Sequence, residues 1–168
     1  MITKFLRSLF ILPLLMVFGM VGASADTSAT GNNMTITVPS SATLTARVAL
    51  AVSIQVQCVA EDSQYTNFFY PVTVFFNTGT TTVLQASGTT VNRARADFGP
   101  ITCDGTTHTY TAYLAAGTAP FHPGPAAIFA SATWFEQFGG CLISDPTNCG
   151  FFEFTNSASV QGPITLSP

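Results

Sequence analysis

The sequence predicts an all-β fold, an antiparallel sandwich of seven to eight strands. Three observations carry this: a fifteen-residue stretch with an apolar residue at every second position, turn residues recurring every 8 to 12 positions, and no sustained apolar repeat at helical spacing beyond the N-terminal segment.

The alternation runs over residues 44–58. Every even position is apolar, from Leu44, Ala46 and Val48 to Val56 and Cys58, while the odd positions are Thr45, Arg47, Ala49, Ala51, Ser53, Gln55 and Gln57. A period of two buries one face of a strand, whereas a helix would scatter those positions around its circumference. The run exceeds an ordinary strand, so a bend or a sheet switch is expected near Arg47.

Further strands are expected at 68–76, 81–87, 95–103, 108–115, 126–135, 151–154 and 159–166. The separators carry turn chemistry: Asn77-Thr78-Gly79, Ser87-Gly88, Asp104-Gly105, His122-Pro123-Gly124, Asp145-Pro146 and Gly162-Pro163. Thr, Val, Phe and Tyr dominate between them, all residues that favour strands.

Ahead of this domain, residues 1–25 read as a cleavable signal peptide. Lys4 and Arg7 precede an apolar run over 9–21, and Ala23-Ser24-Ala25 supplies the small-residue cleavage site. The run falls short of the ~20 apolar residues of a membrane span, so no stable membrane insertion is expected after cleavage. Residues 26–33 hold nothing apolar larger than Ala and read as a flexible tail. The folded domain is then 34–168, and Asn33-Met34-Thr35 forms a glycosylation sequon at Asn33.

The expected exported chain has three arginines, no lysine and eight acids, a formal charge of −5. Such a surface gains nothing from counterion release, so nucleic acid is excluded as a partner. The expected partner is an extracellular protein or a glycan.

Cys58, Cys103, Cys141 and Cys149 all lie in the exported part, where thiols oxidise. Cys58 ends the long alternating run, Cys103 ends another expected strand, and the last two flank the loop LISDPTN. Position therefore selects Cys58 with Cys103 and Cys141 with Cys149. Separations of 45, 38 and 8 do not fit a metal cluster, and no metal or cofactor is implied.

The strand ending Val56-Gln57-Cys58, the segment ITCDGTTHTYTAYL at 101–114, Phe121-His122-Pro123-Gly124 leading into AAIFASATWF, and the Cys141/Cys149 loop together form a pattern. It resembles small secreted immunoglobulin-like β-sandwich proteins of Gram-positive bacteria, over roughly residues 40–166. The resemblance implies an immunoglobulin-like sandwich and no catalytic residues. FFYPVTVFF, WFEQF and the absence of lysine from the expected exported chain depart from that pattern.

Nucleophilic hydrolysis lacks a G-x-S-x-G elbow, and neither His108 nor His122 neighbours an obvious acid. A glycosidase would need two facing carboxylates, for which Glu136 and Glu153 are candidates. The aromatics are richer than an alternating core requires: fifteen Phe, four Tyr and a single Trp. Adjacent strand residues point to opposite faces, so Phe68-Phe69-Tyr70 and Trp134-Phe135 each send a ring outward or to an edge. Those rings either seal the ends of the sandwich or form a row that stacks on sugars, with Trp134, Phe135 and Tyr70 as the candidate ligand-binding residues. The expectation is a secreted, extracellular, non-catalytic domain that binds or serves as a structural surface component. A carbohydrate-binding module and a small glycoside hydrolase are the alternatives.

Overall fold

The computed structural model describes residues 25–117 and 119–168. The expected signal peptide therefore lies, except for its last residue, outside the described residues. Nine strands form a mixed β-structure with one 3-10 turn, Glu61–Gln64, and no α-helix among the described residues. They are β1 Thr27–Gly31, β2 Met34–Val38, β3 Ser41–Thr45, β4 Ala49–Val59, β5 Tyr65–Ser87, β6 Thr90–Phe98, β7 Asp104–Ala115, β8 Gly124–Leu142 and β9 Cys149–Ser167.

Hydrogen bonding follows the order β1-β2-β4-β3-β9-β8-β5-β6, with β7 lying along β4. All pairs are antiparallel except β3 with β9. Nine strands with one parallel pair correct the expected seven to eight antiparallel strands, and the mixed character comes from β3, which changes partners along its length. Leu44 and Thr45 pair with Leu50 and Ala49 of β4, while residues 41–43 pair in parallel with residues 165–167 of β9.

The bend expected near Arg47 is a full reversal. Ala46 and Arg47 both have positive φ, 49° and 62°, and Val48 N–H donates to Thr45 O at 3.2 Å. Two successive positive φ values match the right-handed twist of the flanking strands. Ala46 and Val48, expected on the buried face, lie in this reversal and are exposed, but Leu44 lands opposite Leu50 and the alternation resumes on the same face. From Leu50 to Cys58 each even residue is buried, and these side chains join those of β2, β7, β8 and β9 in one apolar core.

The strand expected at 95–103 ends at Phe98, which leaves Cys103 in the loop before β7, and Asp104-Gly105, expected as a separator, opens β7 itself. Three other expectations about element boundaries are also corrected. Residues 26–33, read as a flexible tail, contain β1, which pairs with β2 over its whole length. Backbone pairing, Ser28 and Thr30 hydroxyls bonded to Thr37 and Thr35, and the close seating of Gly31 on Ser157 order a segment that composition alone leaves free. The second correction concerns Asn77-Thr78-Gly79, which is no turn but lies inside the 23-residue β5. Gly79 is there because the Phe98 ring occupies the space a Cβ would need. Third, Gly162-Pro163 lies within β9. Gly162 makes room for Thr27 of β1, and residue 163 pairs only with β8, so the missing proline N–H falls on an open edge.

The turns at Ser87-Gly88, His122-Pro123-Gly124 and Asp145-Pro146 stand where the sequence places them. Buried Gln85 clamps the second of these, donating to His122 O at 2.7 Å and accepting from His122 N–H at 2.8 Å. Both expected disulfides are present, Cys58–Cys103 and Cys141–Cys149, with Cα separations of 4.4 and 4.0 Å. No helix among the described residues is long and apolar enough to cross a membrane.

Candidate functional site

Beyond the main core, the first half of β5, the second half of β8 and the first half of β9 continue as a three-stranded ribbon. The β8–β9 pairing is regular down to Cys141 opposite Cys149, so the second disulfide closes the ribbon near its tip. Regular pairing makes face assignment simple: odd residues of β8 and β9 point outward and even ones inward.

The inner face carries its own aromatic cluster. Phe138 is fully buried, with Tyr65, Phe68 and Phe154 rings at centroid distances of 4.8, 5.5 and 5.7 Å. Phe152 stacks near Phe154 and lies 4.5 Å from Tyr65. Edge-to-face and offset contacts of this kind bring rings together beyond simple area burial.

Next to this cluster stands Glu136, also buried, on the same face. Its Oε1 accepts the backbone N–H of Glu61 at 2.7 Å and of Asp62 at 3.2 Å, while Oε2 accepts Trp134 Nε1–H at 3.0 Å. A carboxylate surrounded by donors can be buried without a cation. It ties the 3-10 turn before β5 to the middle of β8. Asn33, the sequon residue, donates its side-chain amide to Glu61 on the exposed side of that turn.

The outer face presents two aromatic groups. Phe151 sits opposite Gly139, with Phe69 at 5.3 Å and Tyr70 at 5.7 Å, and Phe69 and Tyr70 fill the space a side chain at Gly139 would take. Four residues earlier on the same face, Phe135 meets Phe75 at 5.6 Å and Phe76 at 6.2 Å. Between the groups, Gln137 Nε2 donates to Glu153 Oε1 at 3.0 Å. No charged residue occurs anywhere in β5.

The three candidate ligand-binding residues are thus not brought together. Phe135 and Tyr70 face outward, whereas Trp134 turns inward, packs against the core and spends its indole N–H on Glu136. β8 pairs with β9 here without a register shift, so its adjacent residues Trp134 and Phe135 take opposite faces, whereas the register shifts in β5 let Phe69 and Tyr70, and Phe75 and Phe76, meet the same outer ring. The better-exposed rings of the ribbon are Phe69, Phe75, Phe76 and Phe151. FFYPVTVFF was the sequence signal for three of them.

The acids behave similarly. Gln137, not Glu136, is the residue opposite Glu153, so the two carboxylates lie on opposite faces of the sheet, one buried and one exposed. They cannot act on one substrate from facing positions.

Contrary to expectation, His108 does have an acidic neighbour: its Nε2 lies 2.9 Å from Asp104 Oδ1. The irregular register between β4 and β7 near Val59 brings the two together. Thr106, through its hydroxyl and backbone N–H, and then His108 hold the Asp104 carboxyl well below the ordinary carboxylate range. The Thr106 hydroxyl lies 3.1 Å from His108 Nε2 and donates to Asp104 Oδ1 at 2.7 Å, so it is held as a donor to the carboxylate, at a surface with Asp104 and Thr106 exposed. His122 is exposed in its turn. Among the described residues, no group of three or more His, Cys, Asp or Glu side chains converges as a metal site would.

Comparison with known proteins gives no matching family model, no matching curated protein and no matching solved structure.

Proposed function

We propose that this protein is a secreted, extracellular, non-catalytic domain of the immunoglobulin-like sandwich kind, acting through the aromatic outer face of its ribbon as a binding or structural surface component. The observation that carries this reading is an uncharged strand with Phe69, Phe75 and Phe76 more than half exposed, on a body stapled by two disulfides. The disulfides fit an oxidising compartment. Contiguous exposed rings on a folded surface mark contact sites.

Intact mass of the protein from the culture medium, with and without reduction, tests the export reading. A start at Asp26 and a mass rise of two disulfides on reduction are expected. An uncleaved N-terminus would overturn it.

A second reading has its own support. Gln137 and Glu153 form a polar centre between two aromatic groups on one face, and rings flanking hydrogen-bonding groups suit a sugar chain. Retention on insoluble polysaccharide, lost in Phe135→Ala, would favour it. Turnover of a glycoside library would instead overturn the non-catalytic reading.

A further inference from the structure

Residues 66–76 of β5 are hydrogen-bonded on one side only. β8 covers that side, and β6 takes up the other side from Gly79 onward. Among the described residues, no strand pairs with the open side. This stretch is exposed on both faces: Phe69 and Phe75 meet rings of the outer face, and Phe68, directed at the inner cluster, is still 45% exposed. A ligand lying on one face would leave the other uncovered. A neighbour meeting the strand edge-on reaches both.

The segment FFYPVTVFF at 68–76 carries the same Phe-Phe pair at each end, although Tyr70 and Pro71 do not match Val74 and Thr73. About Val72, Phe68 mirrors Phe76 and Phe69 mirrors Phe75. A two-fold contact places residue i of one copy against j of the other and j against i. A strand with matching mirror positions is therefore complementary to itself when antiparallel.

We infer that this open edge is the contact between two copies of the chain, packed antiparallel about Val72. The inference rests on the reading of the ribbon as a contact surface and names what it contacts. The apolar side chains left exposed here and at Phe151 offer on the order of 700 Å², close to the ~800 Å² each partner contributes to a stable interface of standard size. Copies carrying net negative charge repel one another in general, but β5 brings no charge to the contact. The edge is also unsuited to endless strand addition. Pro71, beside the centre of the contact, offers no N–H and lies where the pairing with β8 is irregular, so the two copies meet through side chains and not through a continuous backbone ladder. An isologous contact uses each edge once and closes at two copies.

Sedimentation of the oxidised protein, expressed from the full-length chain, tests this. The wild type is expected to be a dimer at micromolar concentration. Phe69→Glu combined with Phe75→Glu is expected to give a monomer with both disulfides and the strand circular dichroism intact. Phe69→Lys combined with Phe75→Glu is expected to restore the dimer, because the introduced lysine of each copy faces the introduced glutamate of the other.

A wild type that stays monomeric up to about 100 μM overturns the inference, as does an acidic double variant that still dimerises. A monomer retained on insoluble polysaccharide, with retention lost in the acidic variant, overturns the second copy as occupant while sparing the contact-surface reading. A monomer that binds lipid vesicles through the same residues does likewise. A monomer with neither activity overturns both readings.

Discussion

Trp134 and Glu136 stand two positions apart on β8, on the same face, with the indole Nε1–H donating to Glu136 Oε2 at 3.0 Å. Because the same carboxylate accepts the N–H groups of Glu61 and Asp62, one buried side chain fixes both the indole and the turn that opens β5.

Removing that acceptor strands its donors. Glu136→Ala is expected to lower stability by ~3 kcal/mol, each buried unpaired donor costing about 1–3 kcal/mol. Glu136→Gln keeps an acceptor oxygen and should lose less. Urea unfolding followed by fluorescence checks this directly, since Trp134 is the sole tryptophan and reports on the bond itself. Equal stability of wild type and Glu136→Ala would refute the role.

The two disulfides should differ in weight. Cys58–Cys103 closes a loop of 45 residues and Cys141–Cys149 one of 8. Chain entropy assigns about 4 and about 2.5 kcal/mol to them. Paired Cys→Ala variants compared by thermal unfolding should show the first loss exceeding the second, the second falling mainly on the ribbon tip.

Acid should act on the turn at the start of β7. With its native pKa lowered chiefly by Thr106 and then His108, Asp104 contributes stability that is complete above the ordinary carboxylate value of ~3.9 and is lost as pH falls through the lower native value. Asp145, lowered by Thr147, has the same sign. Asp104→Asn should therefore be less stable than wild type at pH 7, with the gap shrinking toward pH ~2. A gap independent of pH would show that the carboxylate charge is not what matters.

Rings of the two faces should respond in opposite ways. Phe138→Ala empties the inner cluster and should cost about 3–5 kcal/mol. Phe151→Ser, at a ring 67% exposed, should stay within about 1 kcal/mol. Chemical denaturation of both variants decides, and similar losses would mean that the outer rings are core.

Close packing at Gly79 gives a sharper case. Its absent Cβ leaves room for the Phe98 ring, so Gly79→Ala should destabilise by about 1–3 kcal/mol through overpacking. Phe98→Leu in the same chain should recover part of the loss, measurable by thermal melts.

What the sequence made legible follows from which interactions are local. The period of two over 44–58 fixed the buried face of β4, and the place of each cysteine at a strand or loop end fixed both pairings. Glycine and proline were less readable. Ser87-Gly88 makes a turn, but Gly79 and Gly162 are glycines because a ring and a threonine from distant strands press on them. β1 was invisible because backbone pairing, which carries no compositional mark, holds it. At the site, FFYPVTVFF was legible as unusual, yet which rings face out depends on the register shifts in β5, and the burial of Glu136 on donors 74 and 75 residues away.

The unbroken length of β5 also sets an order of events. Its second half meets β6 across a two-residue turn and can zip from Ser87 back to Gly79 with little loop entropy lost. Its first half must wait for β8, whose pairing partner for Tyr65 lies at Leu142. During synthesis the most aromatic stretch of the chain therefore emerges well before the strand that covers it. The protein depends for that interval on whatever else can shelter it.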